Sequence, residues 1–297
     1  MRRREWMRTV GAVAAASAWP GGGAVAAEGP GAGPAMLQTE IVRLHLRHTW
    51  TTTMSSSEYR DTLHVRLTRD GLTGIGEGAP IVRYKENAES ARRAVEGVAD
   101  LLRARDPRHF EKLLAEVFAR IEGEWAAKSA IDIAVMDWVG QSLGVPLHRL
   151  FGLDPADAPV TTFSIGIDTP EITRQKTREA EPYPVLKVKV GLDTDEATIE
   201  AVRSVTKKPL RVDANEGWTD KEVARRKIKW LETQGVEFIE QPLPAAMFEE
   251  QKWLRSQVDL PIFADEACLR AADIPKLAEA YDGVNVKLDK VGGLQQA

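Results

Sequence analysis

Residues 185–217 read VLKVKVGLDTDEATIEAVRSVTKKPLRVDANEG, and this stretch decides the fold. Val185 to Val190 is a short apolar run interrupted only by Lys187 and Lys189. Asp193 to Thr206 is charged and helix-favouring, and Leu210 to Ala214 is apolar again. A short apolar run, an amphipathic segment and a second apolar run predict parallel strands joined by a helix. The texture recurs on both sides. Apolar runs stand at Thr162 to Ile167, Phe238 to Glu240, Ile262 to Ala264 and Val284 to Leu288, and Asp220 to Thr233 supplies another helical segment. An open doubly wound sheet and a closed barrel both fit this βα repetition.

The polar residues at the run ends separate the two. Lys187, Asp213, Glu240, Asp265 and Lys287 follow one another at intervals of 26, 27, 25 and 22 residues. One charged group per βα unit puts all five at one rim. In a (β/α)8 barrel the C-terminal rim carries the active site, whereas an open sheet would spread the groups along a line. The barrel is therefore favoured. A lone Asp or Lys at a strand end is usually a cap or a salt bridge. Five at regular spacing, in the order Lys, Asp, Glu, Asp, Lys, point instead to a common site.

Three converging carboxylates, Asp213, Glu240 and Asp265, would repel one another without a cation. An all-oxygen set with no His or Cys favours Mg²⁺ over zinc. Lys187 and Lys189 lie two apart on a strand and so share a face. Neighbouring ammonium groups and a metal ion are expected to depress their pKa values and suit a lysine to general-base work.

Upstream, Ile41 to Leu46 and Thr62 to Thr68 alternate as strands, Asp70-Gly71 reads as a hairpin turn, and Gly74 to Glu77 carries a third strand. Thr49 to Ser57 reads as a polar loop. Asn87 to Arg103, Phe110 to Ile121 and Ala126 to Leu143 read as helices, the last closed by Gly144 and Pro146. The expected organisation is an α+β domain over residues 35–155, then a (β/α) barrel domain over 156–297 that is incomplete at its C-terminal end.

Residues 1–34 read as a leader. Arg2, Arg3 and Arg4 precede a weakly apolar stretch from Val10 to Ala18, and Ala24-Val25-Ala26 offers small residues for cleavage. Arg3-Arg4-Glu5-Trp6-Met7-Arg8 resembles a twin-arginine export motif, which implies a periplasmic or exported protein. The rest of the composition excludes several classes. The 297 residues are 43% apolar, which rules out a disordered chain. Cys268 is alone, so there is no disulfide scaffold. A net charge of -4 gives no reason to expect nucleic acid as a partner. No apolar run approaches the roughly 18 residues of a membrane span.

The barrel motifs Leu186-Lys187-Val188-Lys189-Val190-Gly191, Val212-Asp213-Ala214-Asn215-Glu216-Gly217-Trp218, Ile239-Glu240-Gln241-Pro242, Ala264-Asp265-Glu266 and Val286-Lys287-Leu288 resemble the enolase superfamily. Within it they look like the muconate-lactonizing subgroup, and most like the dipeptide epimerases. Ala127 to Asp132 and Gly144 to Leu147 match that family's helix before the barrel. The resemblance covers about Gln38 to Ala297. It implies that Asp213, Glu240 and Asp265 hold Mg²⁺, that Lys189 and Lys287 are acid/bases on opposite faces of the substrate, and that Lys187 and Ser164 contact it. Asn215 and Glu266 would support the metal ligands. The implied reaction is epimerisation of a small-molecule dipeptide, by removal of the α-proton beside a carboxylate through an enediolate, and the family likeness implies a homo-oligomer.

The sequence departs from the family pattern twice. Glutamate-specific members carry an arginine between the first two strands, where Thr51 to Ser57 has no basic residue, so a neutral or apolar second residue is expected. The family pattern also continues past Val291-Gly292-Gly293 into two further barrel strands. The chain is accordingly expected to fold poorly on its own. Two other readings share the motifs. One is a lyase resembling o-succinylbenzoate synthase, and the other is a truncated, non-catalytic paralogue.

Overall fold

The structure, a computed structural model, describes residues 33–297. The export reading of the leader lies outside the described residues, apart from Gly33 and Pro34. Three antiparallel strands come first: β1 (Met36–Thr51), β2 (Ser56–Arg69) and β3 (Leu72–Gly78). Four helices follow, α1 (Ala88–Gly97), α2 (Ala99–Ala104), α3 (Phe110–Arg120) and α4 (Trp125–Leu143), then a single turn α5 (Leu147–Leu150). On β2, Leu63, Val65 and Leu67 alternate into a core shared with Val95, Leu113, Val117, Ile131 and Val135 from the helices. This period-2 pattern against a period-3.6 pattern is what joins a sheet face to a helical layer.

The contact between β3 and α4 is unusually close. Gly74, Gly76 and Gly78 all face α4, and a Cβ on them would overlap the carbonyl oxygens of Ala134, Ala130 and Ala126 respectively. Glycines two apart on a strand meet alanines four apart on a helix, and two backbones touch with no side chain between them.

Two expectations for this domain change. The Thr49 to Ser57 stretch is not a loop throughout. Trp50 pairs with Ser57 and Thr51 with Ser56, which leaves only Thr52 to Ser55 as the turn. Thr and Ser suit an extended backbone, and Thr51 Oγ1 and Ser56 Oγ add a side-chain hydrogen bond at 2.9 Å. The Asn87 to Arg103 helix divides at Val98, which leaves helical geometry between α1 and α2.

The second part is a six-stranded parallel sheet whose strands neighbour one another in chain order: β4 (Thr162–Ile165), β5 (Val185–Lys189), β6 (Leu210–Asp213), β7 (Val236–Glu240), β8 (Ile262–Ala264) and β9 (Gly283–Val284). The helices α6 (Pro170–Glu179), α7 (Asp195–Arg203), α8 (Lys221–Thr233), α9 (Phe248–Arg255) and α10 (Ile274–Leu277) lie between them in sequence, and α11 (Leu288–Val291) follows β9. This is the wall of an α/β barrel. Leu186, Val188, Leu210, Val212, Ile239, Ile262 and Ala264 face the helices and build the larger core with Ile199, Val202, Ile228 and Leu254. Among the described residues β4 and β9 have one strand neighbour each. The last strand is shorter than the sequence predicts: its pairing with β8 ends at Val284, the Asn285 N–H still donates to the Ala264 carbonyl at 2.7 Å, and Lys287, extended, becomes the N-cap of α11. Among the described residues no helix is long and apolar enough to cross a membrane.

Candidate active site

The parallel register brings the strand ends level. Lys189 pairs with Asp213 and Asp213 with Glu240, so the C-terminal residues of β5, β6 and β7 form one row. Asp265 and Glu266 come directly after β8, and Asn285 directly after β9. On β5, Val188 points to the helices, so Lys187 and Lys189 point to the barrel interior. Ser164 pairs with Lys187 and lies on the same side.

The carboxyl groups of Asp213, Glu240 and Asp265 are buried, at 0%, 3% and 0% exposure, and one oxygen from each lies within 4.8 Å of the others. Each is met by cations. Lys189 Nζ donates to Asp213 Oδ2 at 2.6 Å. Lys187 Nζ lies 2.9 Å from the same oxygen and donates to Glu240 Oε2 at 2.7 Å. Lys287 donates to Asp265 Oδ2. Asn285 Nδ2 donates to Glu240 Oε1 at 2.8 Å. The donor set is all oxygen, clustered and desolvated, and it fits a hard divalent cation such as Mg²⁺.

The electrostatics follow from burial and pairing. Burial works to raise Asp213, but Lys189 and Lys187 hold it well below the usual carboxylate range. Asp265 is likewise held down by Lys287 and Lys290 against its burial. Glu240 and Glu266 go the other way: burial raises both, helped for Glu240 by Asp213 and for Glu266 by Asp265. The expected depression of Lys187 and Lys189 presupposes a bound cation, and with the carboxylates free Lys187 shifts upward instead. Burial pulls it down, yet Asp213 and Glu240 raise it above its ordinary value, and Asp265 does the same for Lys287. The carboxylate oxygens lie within about 3 Å of these ammonium groups, so attraction outweighs desolvation. A cation taking the carboxylate oxygens would remove that upward pull.

The two supporting residues lie together. Asn215 Nδ2 donates to Glu266 Oε1 at 3.0 Å, and its backbone N–H donates to Asp213 Oδ1 at 2.9 Å. Asn215, Glu216 and Gln241, the residues just past β6 and β7, all have positive φ, at 42°, 63° and 37°. Such backbone strain clusters where a chain must aim side chains at a site. Gln241 uses that position to brace the next strand end: its Oε1 accepts from the N–H groups of Asp265 and Ala267, at 3.0 and 3.1 Å.

The β1–β2 hairpin covers this rim. Thr53 Oγ1 donates to the Asn215 carbonyl at 2.8 Å, and a Cβ on Gly191 or Gly217 would overlap the Thr53 methyl. Arg83 adds an ion pair to Glu216. Trp50 lies with its ring centroid 6.0 Å from Lys189 Nζ. It also lines a cavity of about 620 Å³ together with Ser164, Phe163 and Tyr183. Sequence reasoning missed Trp50, Asn285 and Lys290. Asn285 had a signal, being polar at a strand end and two residues before Lys287. Trp50 and Lys290 had none, since nothing local marks what covers them.

Residues 36–152 match the mandelate racemase / muconate lactonizing enzyme N-terminal domain, and residues 171–297 match the enolase C-terminal domain-like family. The L-Ala-D/L-amino acid epimerase of Pedosphaera parvula is 40% identical over 262 residues, covering 86% of this chain and 75% of that protein. The chain belongs to the enolase superfamily, in its mandelate racemase / muconate lactonizing group. The L-Ala-D/L-Glu epimerase of Bacteroides thetaiotaomicron is 38% identical over 255 residues, and this chain spans 66% of its length. Among solved structures, a dipeptide epimerase from Enterococcus faecalis, complexed with Mg and L-Leu-L-Tyr, superposes with a TM-score of 0.81 at 32% identity, covering 90% of this chain and 77% of that one.

Proposed function

We propose that the protein is a Mg²⁺-dependent dipeptide epimerase. The observation that carries this reading is the group of three buried carboxylates met by Lys189 at Asp213 and by Lys287 at Asp265, two strand ends apart. Relatives named as epimerases of L-Ala dipeptides and of hydrophobic dipeptides support it.

Asp213, Glu240 and Asp265 would hold the cation. Bound there, Mg²⁺ would supply positive charge to the substrate carboxylate as the α-carbon loses its proton. Lys187, between Asp213 and Glu240, is placed to hold a carboxylate oxygen. Lys189 removes the α-proton from one face and Lys287 returns one from the other, inverting the centre. Each lysine must start in the protonation state opposite to its partner, so the pair works in both directions. Asn215 and Glu266 keep the backbone beside Asp213 in place. Ser164, with Trp50 above it, would contact the substrate side chain.

A neutral or apolar second residue is the preferred substrate class. Thr51 to Ser57 offers no cation. In the neighbouring cavity Lys176 pairs with Asp168 at 2.9 Å, and Arg47 lies 3.3 Å from Glu179, to which His48 is also hydrogen-bonded at 2.7 Å. The test is proton NMR of an L-Ala-L-Xaa panel in D₂O with Mg²⁺ and then with a chelator. Deuterium should enter the C-terminal α-carbon of apolar dipeptides and stop on chelation. Elimination of water from a cyclohexadiene substrate, with no exchange of dipeptides, would favour the lyase reading.

A further inference from the structure

Lys290 is the most completely buried cation near the site, at 1% exposure, and the proposed mechanism does not use it. Its Nζ donates to Asp265 Oδ1 at 2.8 Å and to three main-chain carbonyls, Asp265 at 2.6 Å, Cys268 at 2.9 Å and Asn285 at 3.0 Å. An ammonium has three N–H groups, so four acceptors saturate it. The other three lysines are placed differently. Lys187, Lys189 and Lys287 all sit on Asp213 Oδ2, Glu240 Oε2 or Asp265 Oδ2, and their side chains keep 16%, 9% and 37% exposure. They can swing away when a cation takes those oxygens. Lys290 sits on the opposite oxygen of Asp265 with its side chain fully buried and its ammonium ringed by three main-chain carbonyls.

We propose that Lys290 is a positioning residue for the cation site: it holds one oxygen and one charge of Asp265, so that three carboxylates present a net charge of minus two, matched to a divalent ion. The inference rests on the metal-site reading above. The turn into α11 carries Lys290 back beneath Asp265, and the same turn aims Lys287 at the other oxygen.

The test is charge selectivity at constant ion size. Ca²⁺ and La³⁺ have similar radii and differ by one charge. Their dissociation constants would be measured by calorimetry, without substrate, for the wild-type chain and for Lys290→Met. Removing one positive charge from a few ångströms away should raise the La³⁺ to Ca²⁺ affinity ratio on the order of tenfold or more. A purely structural loss would weaken both ions together and leave the ratio unchanged, which would overturn the inference while leaving the metal site standing. A wild-type chain that binds neither ion would sink the metal reading and this inference with it. Lys290→Met leaves Asp265 short of a partner and is expected to lower the melting temperature. Asp265→Asn in the same chain removes a buried charge that Lys287 alone compensates and should restore part of it. A double variant as unstable as Lys290→Met would contradict the pairing even if neither variant binds metal.

Discussion

Asp213 and Asp265 each sit between two ammonium groups, and Glu240 between an ammonium and an amide. The paired ammonium groups hold Asp213 and Asp265 ionised in a dry rim, while Glu240, with one such partner, is raised. Asp213→Asn therefore has two expected consequences. Mg²⁺ affinity falls at least about a hundredfold, because one of three charged oxygen donors is gone. Stability falls by about 3 kcal/mol, because buried Lys189 loses its counter-ion. Calorimetric titration and urea unfolding read the two effects separately. The lysines give a second outcome at this scale. Lys189→Ala and Lys287→Ala should each stop epimerisation, while each still exchanges the α-proton of one stereoisomer with D₂O. Equal exchange of both stereoisomers by both variants would contradict one base per face.

Among the elements, the β3–α4 contact carries the sharpest constraint. Gly76→Ala places a methyl against the Ala130 carbonyl oxygen, and neither backbone can yield without moving the whole sheet. A loss of about 3 kcal/mol in urea unfolding is expected. Ile75 is the control. It is 45% exposed on the same strand, and Ile75→Ala should change stability by less than about 1 kcal/mol. The β1–β2 hairpin shows the opposite kind of element. Its tip is set by contacts to the barrel rim at Gly191, Asn215 and Gly217, far away in the chain.

At the scale of the whole molecule, α4 also clasps the chain beyond the last barrel strand. Asp132, fully buried, accepts from the N–H groups of Leu294 at 2.7 Å and Gln295 at 3.3 Å. Burial raises its pKa from 3.8 to about 6. The folded state thus binds the proton more tightly than the unfolded state does. The associated stability is fully present below about pH 4 and is lost as pH rises through about 6, roughly 3 kcal/mol in all. Asp132→Asn has no such titration, so the difference between wild-type and variant unfolding free energies should change across that window and be flat above it. Residues 1–34 are a separate matter. We propose that they direct export through the twin-arginine route. A reporter fused behind them should reach the periplasm, and replacing Arg3 and Arg4 with Lys should retain it in the cytoplasm.

The amino-acid sequence by itself determined the parallel βα wall and the five charged groups at its rim. Both depend on relations along the chain: alternation places Lys187 and Lys189 on one face, and a βα repeat returns each strand end to the same level. The helix over Ala126 to Leu143 was legible for the same reason, from its spacing of apolar residues. Only the tertiary structure decided that both ends of Thr49 to Ser57 are paired strand, that Trp50 stands over Lys189, that Lys287 caps a helix, and that Lys290 is the buried partner of Asp265. The sign of the lysine shifts belongs there too, because it depends on which opposite charges lie within a few ångströms. The physical reason is common to all of these. Thr53 touches Asn215 across 162 residues, and Lys290 reaches Asp265 across 25. Burial and pairing at such separations come from how whole elements pack, which no local period encodes.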